Sequence, residues 1–221
     1  MTATESKGKS GRLSAYKADM RYMWHVIFRP FDGFWDMAHE GKGSLAAATT
    51  YLVLFLITYV GKYMYTNFQF VDTPVQYINV FEEVISILLP FLLLITANWG
   101  LTTLFDGKGR FQDIYKALCY ALAPYVLIQL PLILLSNIIT FDEASFYYVL
   151  MNISLIWVVF LAFVALMQVH DYGPGKTIIF LIATVVGLLI IIFLILTFFS
   201  LLSDAASYFV SLAREIMFRM N

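Results

Sequence analysis

The chain has 221 residues, of which 61% are hydrophobic and 13% are charged, and its mean hydropathy is +0.78. An ordinary soluble domain has roughly 45–50% apolar and about 25% charged residues, so this composition excludes a water-soluble fold. The net charge of −1 gives no general attraction for nucleic acid or acidic ligands. Since a membrane span takes about 20 mostly apolar residues, the length allows about five spans and no soluble domain.

The N-terminal region divides into two predicted segments. Residues 1–19 carry four basic residues and no apolar core of the kind found in a signal peptide, so we predict a retained, disordered cytoplasmic tail. Residues 20–42 form a predicted amphipathic segment at the cytoplasmic interface, which Pro30 should divide into two short helices.

Four aromatic residues of this segment recur at steps of four, three and four, which places them on one helical face. They are Trp24, Phe28, Phe31 and Trp35. This face either anchors the bundle in the interface or docks a partner protein. We name these four residues as the candidate docking site.

Five long apolar runs follow, and we predict that residues 43–203 form a five-span membrane domain. The predicted spans cover residues 44–65, 84–104, 115–139, 149–169 and 177–202. The predicted fold is therefore an all-α membrane protein, a five-transmembrane-helix bundle with amphipathic interfacial helices before the first span and after the last. Residues 204–221 are the second of these helices, predicted on the outer face.

Within the spans, the prolines bear on helix shape and the amide side chains bear on function. Pro90, Pro124 and Pro131 should kink the second and third spans. Asn98 and Gln129 are the strongest candidates for function at membrane depth, because amides are costly to face toward lipid. The alternatives are a role in helix packing and a role in lining a solute path.

The basic residues alternate between the two sides of the predicted bundle. The segment before the first span carries seven, the second connection with the start of the third span carries three, and the fourth connection carries one. The opposite side carries three basic residues. By the positive-inside rule the richer side is cytoplasmic, so we predict a cell membrane protein with a cytoplasmic N-terminus and an extracellular C-terminus.

Ionisable side chains are absent from the centres of all five runs. Pumps, ion-coupled transporters and intramembrane proteases place such groups at membrane depth, so we predict no enzyme activity and no catalytic, cofactor or metal site. A weaker alternative is an enzyme site at the cytoplasmic interface, made of His39, Glu40, His170 and Asp171. Metal-ligand spacing does not support a metal site there.

Three strings together resemble the bacterial branch of the Yip family of five-span membrane proteins, whose eukaryotic members bind Rab-type GTPases. They are RPFDGFWDMAHEGKGSL at 29–45, GKGRFQDIYKALCYALAPYVL at 107–127 and HDYGPGKTIIF at 170–180. The resemblance implies a helical membrane bundle without known catalytic activity. It does not carry over Rab binding, because the long N-terminal region of the eukaryotic members has no counterpart in this sequence.

Bacterial relatives often look associated with carbohydrate ABC transporters, so the resemblance favours a non-catalytic accessory subunit of a membrane transport complex. Its expected partners are the lipid bilayer and other membrane proteins, such as ABC permease subunits, but not nucleic acid. The alternative is a stand-alone carrier or channel built around Asn98 and Gln129, and a membrane enzyme is the third hypothesis.

Overall fold

The computed structural model describes residues 3–70, 78–105 and 107–220. Within these ranges the regular structure is helical and includes no β-strand, which confirms the predicted all-α fold. The α-helices are α1 (Ala3–Phe28), α2 (Pro30–His39), α3 (Leu45–Tyr65), α4 (Val80–Leu104), α5 (Phe111–Ala121), α6 (Ala123–Leu135), α7 (Ala144–Val169) and α8 (Pro174–Met220). Five helical stretches are long and apolar enough to cross a membrane.

The two helices that precede the first span meet at Pro30, as the sequence predicted. Helix α1 ends at Phe28 and α2 begins with the proline, whose missing amide hydrogen costs nothing in a first helical turn. The two helices approach closely, because a Cβ at Gly33 would lie 2.9 Å from the Cα of Val26. This approach buries Val26 and Phe34 in the main core.

The N-terminal boundary differs from the prediction. A disordered tail was expected over residues 1–19, but α1 runs through residues 3–28 without interruption, and only Met1 and Thr2 lie outside the described residues. Tyrosine hydroxyls are among the groups that hold this helix against the bundle. The hydroxyl of Tyr16 lies 2.8 Å from that of Thr50, and the Tyr120 hydroxyl donates to the carbonyl of Asp19 at 2.9 Å.

The five candidate spans fall where the hydropathy pattern placed them. The first, second and fourth are α3, α4 and α7, while α8 contains the fifth. The third is made of α5 and α6 together, over residues 111–135. This span is the centre of the bundle, because α5 and α6 each pack against both α3 and α7.

The third span is interrupted at Leu122, two residues before Pro124. Because Pro124 lacks an amide hydrogen, it cannot continue the hydrogen-bond ladder of α5, and it lies instead in the first turn of α6. The predicted irregularity at Pro124 is therefore present. Helices α4 and α6, by contrast, each continue through their internal prolines, Pro90 and Pro131.

Helix α8 is much longer than a span. At about 1.5 Å per residue, its 47 residues extend roughly 70 Å, against about 30 Å of hydrocarbon. The separate outer-face helix predicted at 204–221 is not a separate element, because no proline follows Pro174 and the only glycines after it are Gly175, in the first turn, and Gly187. Up to Met220 that segment continues the fifth span, and Asn221 lies outside the described residues.

Candidate functional site

Three segments meet at one end of the bundle, which we call the α2 end. They are the C-terminus of α2, the connection between α4 and α5, and the connection between α7 and α8. Side chains of all three make direct contacts there, since Asp171 pairs with both His39 and Lys108. The charge pattern had assigned these same segments to one side of the membrane.

Asn98, one of the two predicted intramembrane amides, lies in a buried hydrogen-bond network near the α2 end. Its Nδ2 donates to Oγ1 of Thr184 at 3.0 Å, and its Oδ1 lies 3.0 Å from Nε2 of His170. All three side chains are buried. Both ends of the amide are therefore paired inside the protein, and they join α4 to α8 and to the end of α7.

The contacts of His170 fix its tautomer. The backbone N–H of Gly109 donates to Nδ1 at 3.3 Å, so Nε2 carries the hydrogen that is donated to Asn98. Burial, and then the charge of Lys176, lowers the pKa of His170 to about 4, so the ring is neutral at pH 7. Position 109 requires glycine, because a Cβ there would lie 2.6 Å from Cγ1 of Val169.

Asp171 forms a second, more exposed polar cluster beside this network. Its Oδ2 accepts a hydrogen bond from Nζ of Lys108 at 2.9 Å, and its Oδ1 lies 3.1 Å from Nε2 of His39. The hydrogen bond from Lys108 is the largest cause that lowers the pKa of Asp171 below its usual range. The cluster thus links α2 to the two connections at this end.

The four residues of the hypothetical enzyme site are brought together only in part. His39 and Asp171 are in contact, but His170 points into the buried network and Glu40 pairs with Lys42 at 3.7 Å. In the portion of the chain that the structure describes, no group of three or more His, Cys, Asp or Glu side chains is arranged to hold a metal ion. The geometry therefore does not assemble these four side chains around a common centre.

A pocket of about 580 Å³ opens at the α2 end, between α2, α5 and the end of α7. We call it the basic pocket. Its charged or titratable lining residues are His39, Lys108, Arg110, Asp113, Lys116 and Asp171. Lys116 is only 8% exposed, and its Nζ donates to the carbonyl of Met37 at 3.2 Å and lies 3.7 Å from Oδ1 of Asp113.

Gln129, the other predicted amide, lies in a separate place between α6 and α7. Its Nε2 donates to Oγ of Ser154 at 2.9 Å, and the side chain is 1% exposed. Its Oε1 has no hydrogen-bond partner among the described residues. The structure thus gives Asn98 and Gln129 different neighbours and does not join them in one site.

The four candidate docking residues all lie exposed, and the ring of Phe31 also meets that of Phe160 on α7 edge to face at 6.4 Å. We call Trp24, Phe28, Phe31 and Trp35 the aromatic surface. Phe28 is the most exposed at 74%, and its ring stacks on that of Trp24 at 5.9 Å between centroids. The intervening Val26 and Phe34 are fully buried. The docking role of these residues stays a prediction.

Sequence reasoning identified the residues of the α2 end but not how they are shared between two clusters. Lys116 and Thr184 are not among the candidate residues that the sequence pattern indicated. The closely spaced glycines at 107 and 109 were the available signal. A Cβ at position 107 would lie 2.6 Å from Cβ of Thr102, and one at position 109 would lie 2.6 Å from Cγ1 of Val169, so neither position has room for a side chain.

Comparison with known proteins identifies a family. The family model described as the Yip1 domain matches residues 24–197, which is most of the chain and includes the aromatic surface and the basic pocket. No curated protein matches the chain. No solved structure matches it.

Proposed function

This chain belongs to the Yip1 domain family, and from that premise we propose that it is a non-catalytic membrane subunit that docks on another membrane protein. The chain is an integral membrane protein with five candidate spans. The observation that carries the proposal is the aromatic surface. Four large aromatic side chains lie exposed on two helices that bury Val26, Ile27, Phe34 and Met37 in the core.

The interior of the bundle supports a structural role for the spans. The amide of Asn98 is used at both ends by Thr184 and His170, and Gln129 donates to Ser154. Such bonds stabilise helix packing in a membrane by about 0.6 kcal/mol each on average. Because these polar groups are directed at neighbouring helices, we assign recognition to the outer surfaces.

The finer proposal names the partner and the location. On the family resemblance we propose that the partner is a membrane transport complex, namely the permease subunits of a carbohydrate ABC importer. On the charge asymmetry we propose the cell membrane, with the N-terminus cytoplasmic and the C-terminus extracellular. The aromatic surface then lies at the cytoplasmic interface, where a permease also presents its cytoplasmic loops.

Copurification from native membranes tests this proposal. The tagged protein is extracted in mild detergent, and the proteins that travel with it are identified by mass spectrometry. We expect ABC permease subunits with the wild-type chain and their loss with the double variant Trp24→Ala and Phe28→Ala. A wild-type chain that purifies without permease subunits would contradict the proposal.

The matched control is Phe198→Ala on α8, which also removes an exposed aromatic ring. It should keep the permease subunits, because Phe198 lies in the fifth span, far along the chain from the aromatic surface. Equal loss in the control and in the double variant would mean that general apolar contact, rather than the aromatic surface, holds the partner.

A second candidate, a stand-alone carrier or channel, is favoured by one observation. The Oε1 atom of Gln129 is buried without a partner among the described residues, and so has a free acceptor at membrane depth. This function requires solute flux in liposomes that contain only this chain, and its loss in Gln129→Leu. Absence of flux across a broad panel of solutes would exclude it.

A further inference from the structure

The basic pocket carries more positive than negative charge. Three cations line it, Lys108, Arg110 and Lys116, against the carboxylates of Asp113 and Asp171. Both carboxylates already have cationic neighbours, since Asp171 accepts from Lys108 and Asp113 lies 3.7 Å from Lys116. The lining therefore has a net charge of +1 even with a neutral His39, and a pocket of this kind attracts an anion.

Arg110 carries the positive charge of the pocket that no carboxylate balances. It is exposed at the pocket, and its guanidinium has no ion pair or hydrogen-bond partner in the part of the chain that the structure describes. Arginine presents several N–H donors in a planar fork that matches the oxygens of a phosphate group. Arg110 is thus positioned as the principal ligand of an anion in the pocket.

Two further features favour an anion at this position. Helix α5 begins beside Arg110 without a side-chain cap, so the unpaired amides of its first turn add partial positive charge to the pocket wall. The ammonium group of Lys116 is held at the wall by the carbonyl of Met37. These charges come from different segments and converge on one cavity.

The position of the pocket along the candidate spans favours a lipid headgroup as the ligand. It is formed at the ends of α5 and α7, both of which belong to candidate spans. Three aromatic rings are nearby: Trp35 stacks on His39 at 4.7 Å between centroids, and Trp99 meets Phe111 edge to face at 6.0 Å. Tryptophan is typical of the boundary between membrane and water, and basic pockets between membrane helices on that boundary bind anionic headgroups.

We propose that the basic pocket binds a phosphate group, and that an anionic phospholipid headgroup carries it. Arg110 is the main ligand, Lys108 approaches from the exposed rim, and Lys116 lies at the wall. A volume of about 580 Å³ accommodates a phosphate group together with a glycerol-sized substituent. The pocket and the aromatic surface have no residue in common, and the copurification variants at Trp24 and Phe28 lie on α1, so the failure of one proposal leaves the other standing.

Thermal unfolding of the whole protein in a neutral detergent tests the site. Phosphatidylglycerol, phosphatidylcholine and inorganic phosphate are titrated separately, with the phosphate matched by sodium chloride of equal ionic strength. We expect a saturable rise of the unfolding midpoint with phosphatidylglycerol. In Arg110→Gln the half-saturating concentration should rise about fivefold, which corresponds to about 1 kcal/mol for one basic residue near a membrane surface.

The control variant is Arg21→Gln, which removes the same charge from an exposed position on α1 outside the basic pocket. Its half-saturating concentration should stay within twofold of the wild-type value. A saturable response to inorganic phosphate, absent with the lipid, would assign the same site to a soluble phosphate compound. Equal shifts in Arg110→Gln and Arg21→Gln, or no saturable response to either ligand, would overturn the proposal.

Discussion

The third and fifth spans show opposite relations between apolar character and burial. In the most apolar 18-residue window of the third span, 67% of the residues are buried inside the protein. In the corresponding window of the fifth span, only 6% are buried. The fifth span is nevertheless the more apolar of the two. In water this order would be reversed, because apolar surface would drive burial.

The composition of the third span explains this difference. Lipid chains are as apolar as leucine, so helices associate in a membrane through close packing and hydrogen bonds, which favour small and polar residues. Ala117, Cys119 and Ala123 are fully buried in the third span. The fifth span presents isoleucine, leucine and phenylalanine outward. Hydropathy in this chain therefore reports contact with lipid and not position in the core.

Overpacking the third span should have the largest effect on stability. Ala117 is 0% exposed in the main core, so Ala117→Leu has no room for the added methylene and methyl groups. We expect the free energy of unfolding to fall by about 1–3 kcal/mol. The measurement is thermal unfolding in mild detergent, where the midpoint should fall or the protein should be lost to aggregation.

The same substitution on α8 provides the comparison. Ala205 is exposed, so Ala205→Leu should change the free energy of unfolding by no more than about 0.5 kcal/mol. Equal destabilisation at both positions would show that the difference in burial between the two spans is not a difference in packing.

The number and positions of the spans were predictable, because a helix that crosses hydrocarbon must be long and apolar along its whole length. The arrangement around the third span was not, since it depends on how each helix is rotated about its axis. Thr184 illustrates this limit. Its hydroxyl meets Asn98 only because α8 turns that one position of an apolar run toward α4.

The α2 end was predictable in part for a topological reason. An even number of spans separates residue 39, residue 108 and residue 171, so these positions must return to one side of the membrane. The backbone conformation at Asp171 explains why these residues divide into a buried network around His170 and an exposed cluster around Asp171. Asp171 has a φ of 54°, in the left-handed region, which directs consecutive side chains differently from a helix.

The buried network of Asn98, Thr184 and His170 attaches the apolar span of α8 to the bundle. Its removal should have the next largest effect on the free energy of unfolding. Asn98→Leu leaves the Nε2 hydrogen of His170 buried without its acceptor and removes the bond to Thr184. We expect a loss of about 2 kcal/mol in the free energy of unfolding. Hydrogen exchange over residues 177–190 should also become faster, because this bond holds α8 to α4.

Gln129→Leu is the matched amide replacement in the third span. The substitution removes the hydrogen bond from Nε2 to Ser154. It also removes Oε1, a buried oxygen that has no hydrogen-bond partner among the described residues. Its cost should be below 1 kcal/mol, and exchange in α8 should not change. If Gln129→Leu loosens α8 as much as Asn98→Leu does, the network at Asn98 is not its specific attachment.

A dependence of stability on pH is expected through the same network. The pKa of His170 is about 4 in the folded protein and about 6.5 when the side chain is free. The imidazole binds a proton more tightly in the unfolded chain than in the folded protein, so protonation favours unfolding. Above about pH 6.5 neither form is protonated, and His170 does not lower the free energy of unfolding. Stability then falls as the pH is lowered toward 4, by at most about 1.4 kcal/mol per pH unit.

Thermal unfolding between pH 4.5 and 7.5 measures this slope, with His170→Gln as the comparison. The variant should be less stable at pH 7 but should show a flatter pH dependence in this window. Asp171 does not interfere, because its pKa is lowered from 3.8 and its contribution is lost only at more acidic pH. An unchanged slope in His170→Gln would mean that the attachment of α8 to the bundle does not depend on a neutral imidazole.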